Sequence, residues 1–200
     1  AAVLDGSKWV NGTGPVANPV DALVDDPTEP PVVASAACPT YSQEFGAGSG
    51  DDFTRFPCVA RTRGYGNGNG GNASYRIRVQ NAGNVAFDNY VLYDVLPFVG
   101  DTGVGQPLVG VTRNTDFRPV LLGAPTLNAA LTTNSLEGPG VFTIEYSASS
   151  TPCRPEVSST DVTSGWQGTC TNDWNPSAAA LGGFAAVRAF RVRAFADASG

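Results

Sequence analysis

Residues 74–97 constrain the fold most, because two alternating apolar and polar runs flank a turn there. The run 74–80 has the period-two pattern of a half-buried β-strand, and 91–95 repeats it. Residues 81–84 are Asn and Gly around one Ala, and these residue types tolerate positive φ, so the chain can reverse. Pro97 cannot donate to a ladder and ends the second run. The pattern predicts two β-strands joined by a tight turn.

The composition favours an all-β chain. Its 200 residues include 24 Gly and 15 Pro, which suit many short strands joined by turns. The segment nearest to a helical pattern, Ala178–Leu181, is short and runs into two glycines. A chain of this length can bury a proper core without a metal. We therefore predict an all-β fold.

Further strands are predicted where alternation or apolar runs recur. They are 3–12, 107–113, 117–122, 141–147 and 184–196. In the last of these strands we expect Arg191 and Arg193 to face outward, opposite an inward apolar face. The inward residues are Phe190, Val192 and Ala194. Because Arg188 breaks this alternation, we expect a bulge or twist at Arg188-Ala189.

Four cysteines bear on both fold and compartment. They are Cys38, Cys58, Cys153 and Cys170. Three connectivities are open from sequence alone. We favour pairing the first two with each other and the last two with each other, since each bond would close an excursion that lacks strand patterning. The chain has no C-x-x-C motif and no histidine, so zinc is disfavoured and an oxidising, extracellular setting is indicated.

Two short strings carry a resemblance to a known family. Residues 79–84, VQNAGN, followed by 91–97, VLYDVLP, resemble the conserved repeat domain of bacterial surface proteins known as domain of unknown function number eleven. The opening, 3–12, resembles the start of repeat modules in Gram-positive surface proteins. The resemblance implies an Ig-like antiparallel β-sandwich, here elaborated with long disulfide-closed loops, within a large exported chain. It singles out Asn81 to hold the turn and Asp94 to secure the strand end.

On this interpretation the chain, 1–200, is one elaborated β-sandwich module, a piece of a longer exported protein. Its segments are an N-terminal strand plus Pro-rich stretch (1–40), a disulfide-closed excursion (41–73), core strands (74–150), a second disulfide loop (151–175) and the last strand (184–196).

The charge pattern excludes several function classes. A net charge of −6 makes the chain a poor partner for nucleic acid, and Arg76 and Arg78 are expected on a solvated sheet face. Without histidine there is no general base for a serine or cysteine triad. The Gly-rich run 64–72 lacks the strand–loop–helix setting of a phosphate site. We predict no cofactor, no nucleic-acid partner and no membrane insertion.

Lys8 is the only lysine and lies in the predicted first strand. In some adhesin domains such a lysine forms an isopeptide bond with a last-strand carboxyl or amide. The reaction needs a desolvated amine and a buried acid as promoter. Here Asp197 is the possible partner, and Asp94 or Glu145 the possible promoter.

Two other kinds of site remain open. An aromatic platform for sugar stacking could involve four ring side chains, although the plainer interpretation is that these rings form small cores inside the disulfide loops. They are Phe53, Tyr65, Trp166 and Trp174. Asp51 and Asp52 are weak calcium candidates, since the spacing of a calcium loop is missing and solvated turn acids are the plainer interpretation.

Together these features predict a non-catalytic extracellular module of a bacterial cell-surface protein, located at the cell surface or cell wall and acting as an adhesive or stalk domain. The expected partners are neighbouring modules of the same protein and a host or environmental protein or glycan. A glycan-binding module using loop aromatics is the alternative. A secreted hydrolase fragment using paired carboxylates ranks lower.

Overall fold

The structure is a computed structural model. It describes residues 4–13, 41, 44, 53, 55, 72–84, 89–102, 112, 118–126, 141–154, 164–165 and 168–195. The chain divides into two compact units, Ala1–Ala86 and Phe87–Gly200. The arrangement of 1–200 as one module stays a prediction.

The first unit contains an antiparallel two-stranded sheet. Strand β1 (Leu4–Thr13) pairs with β2 (Asn72–Asn81), and Trp9 lies opposite Arg76 in the register. Both strands were predicted from sequence, with bounds that differ by one or two residues. Trp9 and Arg76 therefore occupy one face, while Lys8 shares the opposite face with its cross-strand partner.

The second unit contains an antiparallel three-stranded sheet in the order β3-β7-β4. The strands of this unit are β3 (Asn89–Val95), β4 (Val141–Ser147), the short pair β5 (Ser164–Gly165) and β6 (Gly168–Thr169), and β7 (Ala189–Phe195). Strand β7 is central and pairs with β3 on one side and β4 on the other. The described secondary structure is mostly antiparallel β-strand, which confirms the all-β prediction.

One face of this sheet is largely apolar, with Asp94 opposite Phe190 as an acidic residue on it. The central strand contributes Phe190, Val192 and Ala194, all buried as predicted. Val192 lies between Leu92 on β3 and Ile144 on β4 in the two registers. The alternation of β4, noted in its sequence, places Ile144 on this face and Glu145 on the other.

The last strand begins at Ala189 and not at residue 184 as predicted. Gly182 and Gly183 have φ values of 95° and 94°, a region that glycine favours, and they separate two short 3₁₀ helices. The helices are Ala178–Leu181 and Phe184–Ala186. A 3₁₀ turn needs only three or four residues, so the short run that has no 3.6-residue period still forms one.

Arg188 lies at the predicted irregularity. Its carbonyl accepts a 2.9 Å hydrogen bond from the Leu96 N–H, in step with the β3 register. On the other side its N–H donates at 2.8 Å to the carbonyl of Ser147, whose register partner is Ala189. The one-residue offset on the β4 side is what the sequence predicted for Arg188-Ala189.

The predicted strand at 117–122 is wrong over its described part. Residues 118–122 lie outside any strand, and Pro119 has no N–H to donate to a ladder. Of the predicted strand 107–113 only Thr112 is described, and it forms an isolated antiparallel bridge with Thr102.

The two strands of the 74–97 pattern are both present, but they belong to different sheets: β2 pairs with β1, and β3 pairs with β7.

Within the described ranges, no helix has the length and apolar character needed to span a bilayer.

Candidate functional site

The polar face of the three-stranded sheet carries a row of three polar side chains. Arg191 on β7 lies in register with Tyr93 on β3 and with Glu145 on β4. Arg191 is only 7% exposed. The prediction that it faces outward into solvent is therefore wrong. Alternation correctly predicted the face of the strand on which Arg191 lies. It did not predict that other residues cover this face.

Arg191 is held by a charged partner. Its Nε donates to Glu145 Oε2 at 2.8 Å, and the Arg193 Nη1 lies 4.0 Å from the same oxygen. The Arg191 and Glu145 side chains are 9% and 18% exposed. Because both charges are largely removed from water, each depends on the other for compensation.

Trp174 packs over Arg191 and shields it from solvent. Its ring centroid lies 4.7 Å from the Arg191 Cζ and 5.7 Å from the centroid of the Tyr93 ring. Its Nε1 donates to the carbonyl of Cys153 at 2.7 Å. A guanidinium over an indole face gains a cation–π attraction that is stronger when desolvated. We call Tyr93, Glu145, Trp174 and Arg191 the arginine cluster.

Burial shifts the pKa of three groups around this sheet. It raises the pKa of Tyr90 and of Tyr146 above the ordinary value of 10.0. It lowers the pKa of the Arg154 guanidinium, against an opposing effect of nearby Tyr93. The two phenols are therefore held in their neutral form, which does not favour a phenolate nucleophile.

A disulfide joins Cys153 to Cys170, as predicted, with a Cα–Cα distance of 4.8 Å. Backbone bonds flank it: the Cys153 N–H donates to the Thr171 carbonyl at 2.9 Å, and the Thr171 N–H donates to the Thr151 carbonyl at 3.0 Å. The disulfide therefore secures a segment, beside Trp174, whose backbone is already hydrogen-bonded. Cys38 and Cys58 lie outside the described residues.

The same loop is attached to β4 through a buried hydroxyl. Ser147 is fully buried, and its Oγ donates to Asp173 Oδ1 and accepts from the Ser149 N–H at 3.0 Å. The second oxygen of Asp173 accepts from the Ala148 N–H at 2.9 Å. The carboxylate of Asp173 thus binds the end of β4 and has a structural role.

The first unit has its own aromatic and arginine cluster. Trp9 is fully buried and contacts the Tyr41 ring edge-on at 5.4 Å between centroids. Arg55 lies 5.0 Å from the Trp9 centroid, and its Nη2 pairs with Glu44. We call this group, with Phe53 and Arg76, the Trp9 cluster.

The surroundings of Arg76 also differ from those predicted. Its Cζ lies 4.4 Å from the ring centroids of both Tyr41 and Phe53, and the side chain is only partly exposed. The predicted solvated face is therefore wrong at Arg76. Trp9 lies directly opposite Arg76 in the register. It was not singled out from sequence, since the pairing of these two strands was not predicted.

The structure gives the isopeptide hypothesis no desolvated amine. Lys8 is exposed, and its Nζ lies 4.9 Å from the Tyr75 ring centroid. Of the possible promoters, Glu145 is paired with Arg191, and Asp94 lies half-buried in β3. Asp197 lies outside the described residues.

The aromatic platform is only partly described. Phe53 is 7% exposed, and Trp174 has one face against Arg191. Tyr65 and Trp166 lie outside the described residues. The calcium candidates, Asp51 and Asp52, do too, as does the Gly-rich run up to residue 71. Among the residues that are described, no group of three or more acidic or cysteine side chains could hold a metal ion.

Comparisons of the chain with family models, with curated proteins and with solved structures found no match in any of the three. The resemblance to a surface-protein repeat domain therefore stays a prediction that rests on residues 3–12, 79–84 and 91–97.

Proposed function

We propose that the chain is a non-catalytic extracellular module of a bacterial cell-surface protein, acting as an adhesive or stalk domain with an Ig-like sandwich architecture. One observation carries the proposal, the Cys153–Cys170 disulfide. Disulfides of this kind persist in oxidising compartments and are rare in the cytosol. In the chain-entropy model, closing a loop of 17 residues contributes about 3 kcal/mol to stability.

The placement of the acids supports a non-catalytic role. Glu145 is bound to Arg191, and Asp173 is bound to Ser147 and the Ala148 N–H. A general acid or base must reach a substrate proton, and these two carboxylates are already committed to the fold. They contribute nothing to the lower-ranked hydrolase interpretation.

The packing of the described aromatic rings favours a structural role for them over a role in binding glycans. A sugar platform needs a ring face open to solvent. Trp174 instead stacks on Arg191 and hydrogen-bonds the Cys153 carbonyl, and Phe53 is buried beside Arg76. Such contacts stabilise loops, and a loop stabilised by packing suits a stalk or adhesive module.

The compartment can be tested by expressing the chain in bacteria with and without an export signal and blocking free thiols before lysis. We expect the exported chain to resist alkylation and its intact mass to rise by about 2 Da per disulfide on reduction. The cytosolic chain serves as the control and should be alkylated. Exported chain with freely alkylated Cys153 and Cys170 would contradict the extracellular proposal.

The stalk role can be tested by pulling the oxidised chain in a single-molecule force experiment. The Cys153–Cys170 bond withholds 17 residues, so a Cys153→Ser, Cys170→Ser variant should show an unfolded contour about 55 Å longer than that of the oxidised wild type. Reduction of the wild type should lengthen its contour by at least this amount, and the variant should show the longer contour without reductant. Gradual extension with no cooperative force peak would contradict a load-bearing role.

A further inference from the structure

In each sheet, the chain enters and leaves at neighbouring positions. The chain enters the first sheet at the start of β1 and leaves it at the end of β2, where Leu4 lies opposite Asn81 in the register. It enters the second sheet at the start of β3 and leaves it at the end of β7, where Asn89 lies opposite Phe195. Opposite residues of an antiparallel pair have Cα atoms about 5 Å apart. The entry and exit points of each sheet are therefore adjacent.

The other ladder of β7 has the same geometry. Strand β4 begins opposite Phe195 as well. The connection from β4 to β7 leaves and returns at the far end of the sheet, where Ser147 lies opposite Ala189. The Cys153–Cys170 disulfide lies within this connection and does not cross-link β3, β4 and β7 to one another. A pull on Phe195 therefore meets both ladders of β7 at their first row.

The direction of a pull relative to the strands decides how strongly a ladder resists it. Ladder hydrogen bonds run perpendicular to antiparallel strands. A pull that separates two strands from one end breaks the rows one after another, and each row contributes little by itself. A pull along the strands in opposite directions loads every row at once. Because forced unfolding is governed by the unfolding rate, the first kind of pull opens a ladder at the lower force.

Both side-chain clusters lie away from the rows that tension meets first. Counted from Leu4, Trp9 and Arg76 form the sixth of ten rows in the first sheet. Counted from Phe195, Arg191 lies in the fifth of seven rows in the second sheet. The cation–π and ion-pair contacts of these clusters therefore stabilise the interior of each ladder, and they do not hold its first rows together.

We propose that the module yields to tension: when the chain is pulled through its two ends, each sheet opens in sequence from the row where the chain enters and leaves. The inference rests on the proposed function in one respect, that a surface module carries load through its ends. It favours the adhesive role, because a module that lengthens at low force slows the rise of load on a bound partner. A rigid stalk would need strands that are loaded along their length.

The test compares two pulling directions on the second unit in the oxidised full chain. One attachment point is a tag after Gly200, and the other is an azide-bearing residue in place of Ala82 or of Val99. Both positions are exposed, and they lie before the start and beyond the end of β3. The pull from Ala82 opens the ladder from the row of Phe195, whereas the pull from Val99 runs along the strands. We expect the first rupture force to be several-fold lower from Ala82 than from Val99.

The first unit offers the same comparison. A tag before Ala1 is paired with the azide-bearing residue at Ala82 or at Ser74, which is exposed and lies near the start of β2. The pull from Ala82 opens the ladder from the row of Leu4, and the pull from Ser74 runs along the strands, so the lower force is again expected from Ala82. Equal forces in either unit, or a higher force from Ala82, overturn the proposal. Because the comparison does not depend on the compartment, a chain that fails the export experiment can still pass this one.

Discussion

Replacing Glu145 with alanine is expected to lower the free energy of unfolding of the second unit by about 3–5 kcal/mol, because it leaves the Arg191 guanidinium buried without its counter-charge. The pair is close, with 2.8 Å between Arg191 Nε and Glu145 Oε2, and the two side chains are only 9% and 18% exposed. Trp174 covers the guanidinium on one face and limits its access to water.

The cost of that substitution arises from the unpaired arginine and not from the loss of a strongly favourable pair. The double variant Glu145→Leu, Arg191→Leu removes both charges and should therefore unfold at close to the wild-type free energy. Equilibrium unfolding in urea of the wild type, Glu145→Leu, Arg191→Leu and the double variant measures the four corners of the double-mutant cycle. Thr143→Ala, an exposed position on the same face of β4, is the matched control. A single-variant cost of about 1 kcal/mol or less would mean that the pair behaves like a surface ion pair.

Alternation in the sequence was a reliable guide to strands, since the period-two signal is local. It located β2, β3 and β4, and it gave the inward face of β7 at Phe190, Val192 and Ala194. Local pattern also located the irregularity at Arg188, because a parity break is visible in the sequence itself.

The arginine cluster could not be predicted in the same way. Alternation placed Arg191 on the outward, polar face of its strand, but a polar face is ordinarily solvated. Burial of Arg191 depends on Trp174, which arrives from a loop fixed by the Cys153–Cys170 disulfide. Contacts between residues far apart in sequence decide whether a face is covered, and no periodicity encodes them.

The start of the last strand, in contrast, was predicted wrongly although the sequence contained the signal for it. The sequence extended the last strand back to 184, but two successive glycines at 182 and 183 adopt positive φ and turn the chain through a short 3₁₀ helix first. The glycines were visible, and their effect on the strand boundary was the missed signal.

Trp9→Ala is expected to remove about 3–5 kcal/mol from the stability of the first unit, as large-to-small changes at buried aromatics do. Trp9 is fully buried, and its ring contacts Tyr41 edge-on at 5.4 Å and has the Arg55 Cζ 5.0 Å from its centroid. Truncation would open a cavity beneath an arginine that has lost its cation–π partner.

Two substitutions in β1 distinguish the contribution of packing to this loss of stability from that of the side-chain hydrogen bond. Trp9→Phe keeps an aromatic ring but loses the 2.9 Å bond from Nε1 to Ser7 Oγ, so it should cost about 1–3 kcal/mol. Val10→Ala truncates the adjacent, half-buried residue on the opposite face and should cost less than either. Amide hydrogen exchange along β1 and β2 reads the loss directly, because their paired amides exchange only when that sheet opens. If Trp9→Ala raises exchange no more than Val10→Ala does, the Trp9 cluster is not the core of the first unit, and another part of 1–86 must hold β1 against β2.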